Sequence, residues 1–175
     1  MANDECYTPS RYIRLARQVM GGIDLDPASC EAANDVVKAA RYYSQAQDGL
    51  QQPWPGRIFL NPPYSRGSVI LWVRRLFEEI DRGRCTEAVV LVNQILDTKA
   101  GQALMKRCDA ACFPGHRIAF NGAADGKKGN DHNQAFFYFG PNTLEFLRIF
   151  GEIGVTCVPS RMAQLGLFAD EPIHR

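Results

Sequence analysis

The sequence has no long apolar run and no marked excess of charge of either sign. No apolar stretch approaches the roughly 20 residues that a helix needs to span a bilayer, and the polar start from Met1 to Glu5 is unlike a signal peptide. The formal net charge is +1, so no strong basic field surrounds the molecule, and contact with a polyanion would need a local patch. These absences predict a cytoplasmic protein that does not enter a membrane.

The six cysteines lack the spacing of a disulfide framework or of a zinc site. They are scattered along the chain, without a Cys-x-x-Cys pair. Cys108, Cys112 and His116 are four residues apart, but Phe113-Pro114-Gly115 would break a helix between them and no fourth ligand is near. We therefore predict reduced thiols and no bound metal.

The composition is that of an ordinary globular protein. Of 175 residues, 46% are hydrophobic and 22% are charged, and no tract has the bias of a disordered segment. Predicted strands cover residues 23–26, 57–61, 88–92, 110–113, 117–120, 135–139 and 155–158, and predicted helices cover 9–20, 31–40, 69–80, 98–107 and 142–150. The first helix has Thr8 as its expected N-cap. The alternation predicts a single α/β domain over residues 1–175, with a mainly parallel, twisted sheet and helices on both faces.

One predicted strand ends abruptly in Asn61-Pro62-Pro63-Tyr64. Proline has a fixed φ and no N–H, so the backbone after Asn61 can neither continue a sheet nor begin a regular helix. An amide, a free carbonyl and an aromatic ring are then held at the carboxyl end of a strand, where open α/β sheets bind ligands. The oxygens of Asn61 and Pro62 can accept two amine hydrogens while Tyr64 stacks on a ring, an arrangement that suits adenine.

Acidic residues precede this motif in two segments. Asp24 and Asp26 alternate with apolar residues at the end of a predicted strand, so both carboxylates are expected on one side near its carboxyl end. Such a pair suits the hydroxyl or ammonium groups of a cofactor, although solvated acids or a helix cap from Asp26 fit the same pattern. Asp48, which precedes Gly49-Leu50, is typical of a turn when taken alone.

The order of these motifs resembles that of the amino-methyltransferases that use S-adenosylmethionine. More narrowly, the chain resembles the small phage-type DNA N6-adenine methyltransferases, and the likeness covers most of its length. Asn-Pro-Pro-Tyr is a specific motif for methylation of a planar nitrogen, whereas Thr-Pro and Asp-x-Asp add weight only in this order. The segments that carry the likeness are Tyr7-Thr8-Pro9, Ile23 to Ser29, Asp48-Gly49-Leu50, Trp54, Asn61 to Tyr64, Gly115 to Phe120 and Gln134 to Gly140.

The resemblance implies a Rossmann-like methyltransferase domain with a defined set of site residues. The expected catalytic residues are Asn61, Pro62, Pro63 and Tyr64. The expected cofactor-binding residues are Tyr7, Thr8, Pro9, Asp24, Asp26, Pro27, Ala28, Asp48 and Asn61. The segment Tyr7 to Pro9 would pack near the methionine end of S-adenosylmethionine, and Asp48 would lie by its adenine.

The chain departs from the wider class at the first cofactor motif. That class has a glycine-rich loop after its first strand, and Asp26-Pro27-Ala28-Ser29-Cys30 has no glycine. This segment is either a degenerate first cofactor motif or the acidic end of the second strand. Asp24 or Asp26 would accordingly bind either the ribose hydroxyls or the methionine ammonium group.

DNA contacts are expected from the loops around the motif. The expected DNA-binding residues are Arg66, Arg117, Lys127, Lys128 and Asn130. The glycine- and charge-rich segment 121–133 fits a target-recognition loop, because the chain is too short for a separate recognition domain. Arg74, Arg75 and Arg82 fit a solvated helix face instead.

The predicted activity is methyl transfer to N6 of adenine in DNA, with the base flipped out of the duplex onto the motif. The nearest alternative is methylation of cytosine N4, which also uses a Pro-Pro-Tyr or Pro-Pro-Phe turn but usually has Ser in place of Asn61. A protein glutamine methyltransferase carries the same motif together with a glycine-rich segment that this chain lacks. A catalytically silent cofactor- or DNA-binding module is the alternative from another class, and the intact Asn61 and Tyr64 argue against it.

Overall fold

The computed structural model describes residues 7–64, 68–93, 96–120 and 133–159. In these ranges the helices are α1 (Ser10–Met20), α2 (Glu31–Val37), α3 (Ser68–Asp81), α4 (Lys99–Arg107) and α5 (Thr143–Phe150). The strands are β1 (Leu25–Asp26), β2 (Arg41–Tyr42), β3 (Gly56–Leu60), β4 (Cys85–Asn93), β5 (Ala110–Pro114), β6 (Gln134–Phe139) and β7 (Gly154–Cys157). Two 3-10 turns, Gln45–Gln47 and Gly49–Gln51, lie between β2 and β3. None of the described helices is long and apolar enough to cross a membrane.

The strands form one mixed sheet in the order β2-β1-β3-β4-β6-β5-β7. The neighbours from β2 to β4 are parallel, whereas the pairs β4–β6, β6–β5 and β5–β7 are antiparallel. The α/β prediction is confirmed. The prediction of a mainly parallel sheet is not, because three of the six strand pairings in the described residues are antiparallel.

Helices cover both faces of the sheet, and each face has its own apolar core. On one face α1 and α5 pack on strand residues that include Phe59 and Phe136. On the other face α3 and α4 pack on strand residues that include Ile58 and Phe137. Neighbouring strand residues point to opposite faces. The central strands are therefore apolar at nearly every position.

Two segments differ from the sequence-based prediction. Arg41 and Tyr42, for which no strand is predicted, form β2 and pair in parallel with β1. Residues 117–120, predicted as a strand, have no strand pairing. The N–H of Ile118 donates instead to the Gln134 side chain at 2.8 Å. A short β-prone run can be held by a single side-chain hydrogen bond instead of pairing in a sheet. A sequence pattern does not distinguish these two cases.

One edge of the sheet gathers the carboxyl ends of three parallel strands. Asp26 ends β1, Asn61 follows β3 and Asn93 ends β4. Because β3 lies between β1 and β4, Asn61 is central at this carboxyl edge. In an open α/β sheet this edge is where ligands bind.

Candidate functional site

The proline turn, residues 61–64, leaves the sheet directly after the fully buried end of β3. The Tyr64 hydroxyl donates to Oδ1 of Asn61 at 3.1 Å. The Ser68 hydroxyl, at the start of α3, donates to the Pro63 carbonyl. Side-chain hydrogen bonds therefore support a turn whose prolines have no N–H with which to support themselves.

Thr8 lies against the proline turn. Its side chain is 5% exposed, and its Oγ1 accepts a hydrogen bond from Nδ2 of Asn61 at 3.2 Å. With the amide nitrogen bound to Thr8, the amide oxygen faces the side where Tyr64 donates. The predicted capping role of Thr8 is wrong, because Pro9 is the N-cap of α1 and no side chain caps the helix there. Thr8 instead orients the Asn61 amide.

Tyr7 joins this segment to the loop that follows β1. The Cys30 thiol donates to the Tyr7 hydroxyl at 3.7 Å. The same Cys30 is the N-cap of α2, where its sulfur accepts from the N–H of Ala33 at 3.4 Å. The structure therefore brings Tyr7, Thr8 and Pro9 next to both Asn61 and the segment that begins at Asp26.

Asp26 is a buried carboxyl at the carboxyl edge, with 4% of its surface exposed. Its Oδ1 accepts from the N–H of Ala28 at 3.2 Å. Burial raises the pKa of Asp26 to about 7 against the partial compensation of that N–H. No cationic side chain in the described residues offsets the burial. A charged Asp26 would therefore be most favourable opposite a cationic ligand.

Asp24 lies at the other end of the strands. It precedes β1, which starts only at Leu25, and its carboxylate binds Arg57 near the start of β3 at 2.7 Å. The Arg57 side chain and N–H donate to the other Asp24 oxygen at 2.8 Å, and these bonds lower the pKa of Asp24. The structure thus separates Asp24 from Asn61 and gives it a structural partner. The expectation that both carboxylates lie on one side near the carboxyl end of the strand is corrected.

A cleft of about 330 Å³ opens beside this ion pair. It lies at the amino ends of β1, β2 and β3, so it is not part of the carboxyl edge. The residues that line it are Asp24, Leu25, Ala40, Arg41, Pro55 and Gly56.

Asp48 is held close to the loop after β1. It is exposed, and its carboxylate accepts from the N–H of Leu50 at 3.2 Å at the start of a 3-10 turn. The next residue, Gly49, packs so tightly that a Cβ there would lie 2.0 Å from the Pro27 carbonyl oxygen. The structure therefore places Gly49, the residue after Asp48, directly against the backbone of Pro27.

A buried carboxylate supports this packing from the opposite side. Glu79 is fully buried, accepts from the N–H of Trp54 at 3.0 Å and forms an ion pair with Arg84 at 2.6 Å. Hydrogen bonds from Arg84 are the main reason that the pKa of Glu79 is lowered. Trp54 in turn donates its indole N–H to the Gly49 carbonyl at 2.8 Å. Trp54 and Glu79 are therefore positioning residues for the Asp48 turn.

Most of the expected DNA-binding residues lie outside the described residues. These are Arg66, Lys127, Lys128 and Asn130, together with all of segment 121–133 except Asn133. Arg117 is described and exposed. It follows His116, whose Nε2 lies 2.8 Å from the Tyr12 hydroxyl on α1.

Gln134 is a buried polar residue that was not among the expected site residues. It is 3% exposed. Its Oε1 accepts from Ile118, and its Nε2 donates to Oδ1 of Asn93 at 3.3 Å. Gln134 thereby joins the two ends of segment 119–133 to the carboxyl end of β4. The one available signal was a glutamine at the head of the apolar run Ala135 to Phe139.

Among the described residues, Cys108 and Cys112 do not come together as metal ligands. Cys108 and Cys112 are buried in the two different apolar cores, on opposite faces of the sheet. Burial raises the pKa of the Cys112 thiol to about 12, so it stays protonated and acts as a small apolar side chain.

An α/β sheet with an Asn-Pro-Pro-Tyr turn and a buried acid at its carboxyl edge is the arrangement expected of an amino-methyltransferase. Comparison with protein families agrees with this class. A model of the family described as DNA N-6-adenine-methyltransferase (Dam) matches residues 1–148. The chain belongs to this family of DNA methyltransferases. No curated protein matches the sequence.

Proposed function

We propose that the protein is an S-adenosylmethionine-dependent DNA methyltransferase that transfers a methyl group to N6 of adenine. The proposal treats residues 1–175 as one Rossmann-like methyltransferase domain. The observation that carries it is the proline turn at the carboxyl end of β3, with the Asn61 amide oriented by Thr8 at 3.2 Å. Family membership supports DNA as the substrate.

The proline turn would make the adenine amine a better nucleophile. The lone pair of an aromatic amine is delocalised into the ring, so the amine attacks poorly. Two acceptors, Oδ1 of Asn61 and the Pro62 carbonyl, would draw the amine hydrogens out of the ring plane and localise the lone pair on N6. Positioning and fixed dipoles are then the sources of rate.

Tyr64 would receive the base after it has flipped out of the duplex. Stacking of one base on an aromatic ring is worth about 1–3 kcal/mol. The Tyr64 hydroxyl donates to Asn61 in the described structure. An amide oxygen has two lone pairs, so Asn61 can accept from the amine as Tyr64 moves over the ring.

The residues at the carboxyl edge fit S-adenosylmethionine. When bound, this cofactor supplies a methyl group on a positively charged sulfur. Asp26 is a buried carboxyl without a cationic partner in the described residues, which suits the ammonium group of the cofactor. Tyr7, Thr8 and Pro9 would line the methionine side, while Asp48, Pro27 and Ala28 would line the nucleoside side. Gly49 packs closely on Pro27, and this packing would take the place of a glycine-rich loop.

Methyl transfer from tritium-labelled S-adenosylmethionine to unmethylated DNA tests the proposal. We expect labelled N6-methyladenine after digestion to nucleosides, and a loss of at least about a hundredfold in kcat for Asn61→Ala, as is usual when a group that contacts the transition state is removed. Gln102→Ala, an exposed amide on α4, is the matched control and should keep full activity.

The products separate this proposal from its alternatives. Labelled N4-methylcytosine would show that the substrate of the turn is cytosine. Labelled protein without labelled DNA would show that the substrate is a protein glutamine. Cofactor binding without any product would identify a silent module. Unchanged activity of Asn61→Ala would remove the proline turn from the mechanism.

A further inference from the structure

We propose that the exposed face of α1, together with His116 and Arg117, is a phosphate-binding surface that holds the DNA backbone beside the proline turn. We call it the α1 surface and define it by Arg11, Arg14, His116 and Arg117. The proposal rests on the proposed function, because it names how the same substrate is held.

The charged side chains of α1 are all positive. The helix has three arginines and no acid over Ser10–Met20. Arg17 is committed to the Val37 carbonyl. Arg11 and Arg14 are exposed, and in the described part of the chain neither has an ion pair or hydrogen bond.

Five arginines elsewhere on the described surface are arranged differently. They lie on α3, α4, α5 and the segment between α3 and β4, and they form ion pairs with carboxylates at 2.5 to 4.0 Å. The paired residues are Arg75, Arg82, Arg84, Arg107 and Arg148. An arginine that already binds a carboxylate is a poor ligand for a phosphate. Arg11 and Arg14 keep their full donor capacity, and a guanidinium can bind a phosphate through two parallel N–H groups.

The position of α1 places these charges near the carboxyl edge of the sheet. The helix begins two residues after Thr8, which accepts from Asn61. It ends at Met20, whose carbonyl accepts from Arg57 near the opposite edge of the sheet. Since each helical residue rises about 1.5 Å, Arg11 and Arg14 lie within roughly 10 Å of Thr8 along the axis.

Tyr12 lies between the arginines of α1 and the residues His116 and Arg117 that follow β5. The Arg11 guanidinium carbon lies 5.9 Å from the centre of the Tyr12 ring. The Tyr12 hydroxyl lies 2.8 Å from Nε2 of His116. Arg117 is the next residue and is exposed. The α1 surface therefore continues from the helix to Ile118, which Gln134 anchors at the base of the proposed recognition segment.

Phosphate is the ligand that this chemistry favours. The protein has a formal net charge of only +1, so attraction to DNA needs a local concentration of positive charge. Backbone contacts fix the register of a duplex without selecting its sequence. The α1 surface would thus hold the target strand while the segment 121–133 reads bases.

The test compares Arg11→Gln/Arg14→Gln with Arg41→Gln as a matched control. Arg41 is exposed at the start of β2, among the amino ends of the parallel strands and away from the carboxyl edge. Glutamine keeps a good helix propensity, so the double variant is expected to fold, which its thermal midpoint will show. Duplex DNA affinity is measured at several salt concentrations, alongside cofactor affinity and kcat at saturating DNA.

We expect the double variant to bind DNA about tenfold more weakly, with the slope of log K against log salt reduced by about one to two. Its cofactor affinity, kcat and sequence preference should stay unchanged, and Arg41→Gln should behave as the wild type. Wild-type affinity and slope in the double variant, confirmed with Arg11→Glu/Arg14→Glu, would overturn the α1 surface. If the wild type binds DNA with the expected slope but transfers no methyl group, the proposed function fails and the α1 surface stands.

Discussion

The side-chain nitrogen of Asn61 donates to the hydroxyl of Thr8 at 3.2 Å, across 53 residues of sequence. This bond joins the segment before α1 to the turn after β3. It determines which end of the Asn61 amide points away from Thr8. A threonine that sequence alone places at a helix start thus becomes a positioning residue of the proline turn.

Replacement of Thr8 by valine should lower kcat by about tenfold, because the Asn61 amide loses its acceptor and can rotate. One hydrogen bond of this kind is worth about 0.5–1.5 kcal/mol in stability, so the fold should persist. The measurement is single-turnover methyl transfer, with cofactor affinity determined separately. Thr8→Ser retains the hydroxyl and should recover most of the rate. Equal rates for the valine and serine variants would show that Thr8 does not position Asn61.

Asp26 should make the protein less stable as the pH rises. The folded protein keeps this proton up to about pH 7, whereas the unfolded chain releases it near the ordinary aspartate pKa of 3.8. Between these values unfolding releases a proton, so the free energy of unfolding falls with rising pH. The Asp26→Asn variant does not lose stability in this way. Its advantage over the wild type in free energy of unfolding should therefore grow by on the order of 3 kcal/mol from about pH 5 to about pH 8.

Urea unfolding at both pH values measures this advantage, with the exposed Asp35→Asn as the control that should show no such trend. In the proposed function, Asp26→Asn also weakens binding of S-adenosylmethionine, and wild-type affinity should rise as Asp26 ionises. A stability difference that is independent of pH would mean that Asp26 is already charged in the folded protein.

Gly49→Ala should weaken cofactor binding by about tenfold or more. Its Cβ would meet the Pro27 carbonyl oxygen at 2.0 Å, a distance at which the backbone itself must shift. Isothermal titration with the cofactor measures the change. Gly115→Ala is the matched control, since its Cβ would meet nothing nearer than 3.9 Å. Normal cofactor affinity in Gly49→Ala would place the Asp48 turn outside the cofactor region.

Gln134→Met should relax target discrimination and cost about 1–3 kcal/mol of stability, because the buried Ile118 N–H loses its acceptor. Methionine has nearly the same length but cannot bridge Ile118 and Asn93. The decisive measurement is the ratio of kcat/KM between preferred and non-preferred DNA sites. Gln102→Met on α4 controls for the chemical change. A loss of stability with an unchanged ratio would limit Gln134 to a structural role.

Sequence reasoning located the proline turn and most helices because these depend on local chemistry. Two prolines end a strand wherever they occur, and helical spacing of apolar residues places α1, α3 and α5 within a few residues. The loop after β1 could also be placed near the motif, through the order of motifs along the chain.

Strand direction could not be predicted in the same way. β6 is as apolar as β4, because both are buried on two faces, and the alternation of strands with helices predicts parallel neighbours. The two strands are neighbours in the sheet and pair with each other in antiparallel orientation. The different places of Asp24 and Asp26 depend on where β1 begins, and the Gln134 contacts join residues from three separate segments. Such information lies in tertiary packing and not in local pattern.

The hydrogen bond from Tyr64 to Asn61 has a consequence for substrate choice. In the proposed function, an arriving base meets an amide oxygen that already accepts one hydrogen bond from a phenol. A base with an exocyclic amine replaces that bond with its own N–H groups, whereas thymine has no amine to offer. In the proposed function, the resting turn would therefore bind a base that carries an exocyclic amine better than it binds thymine.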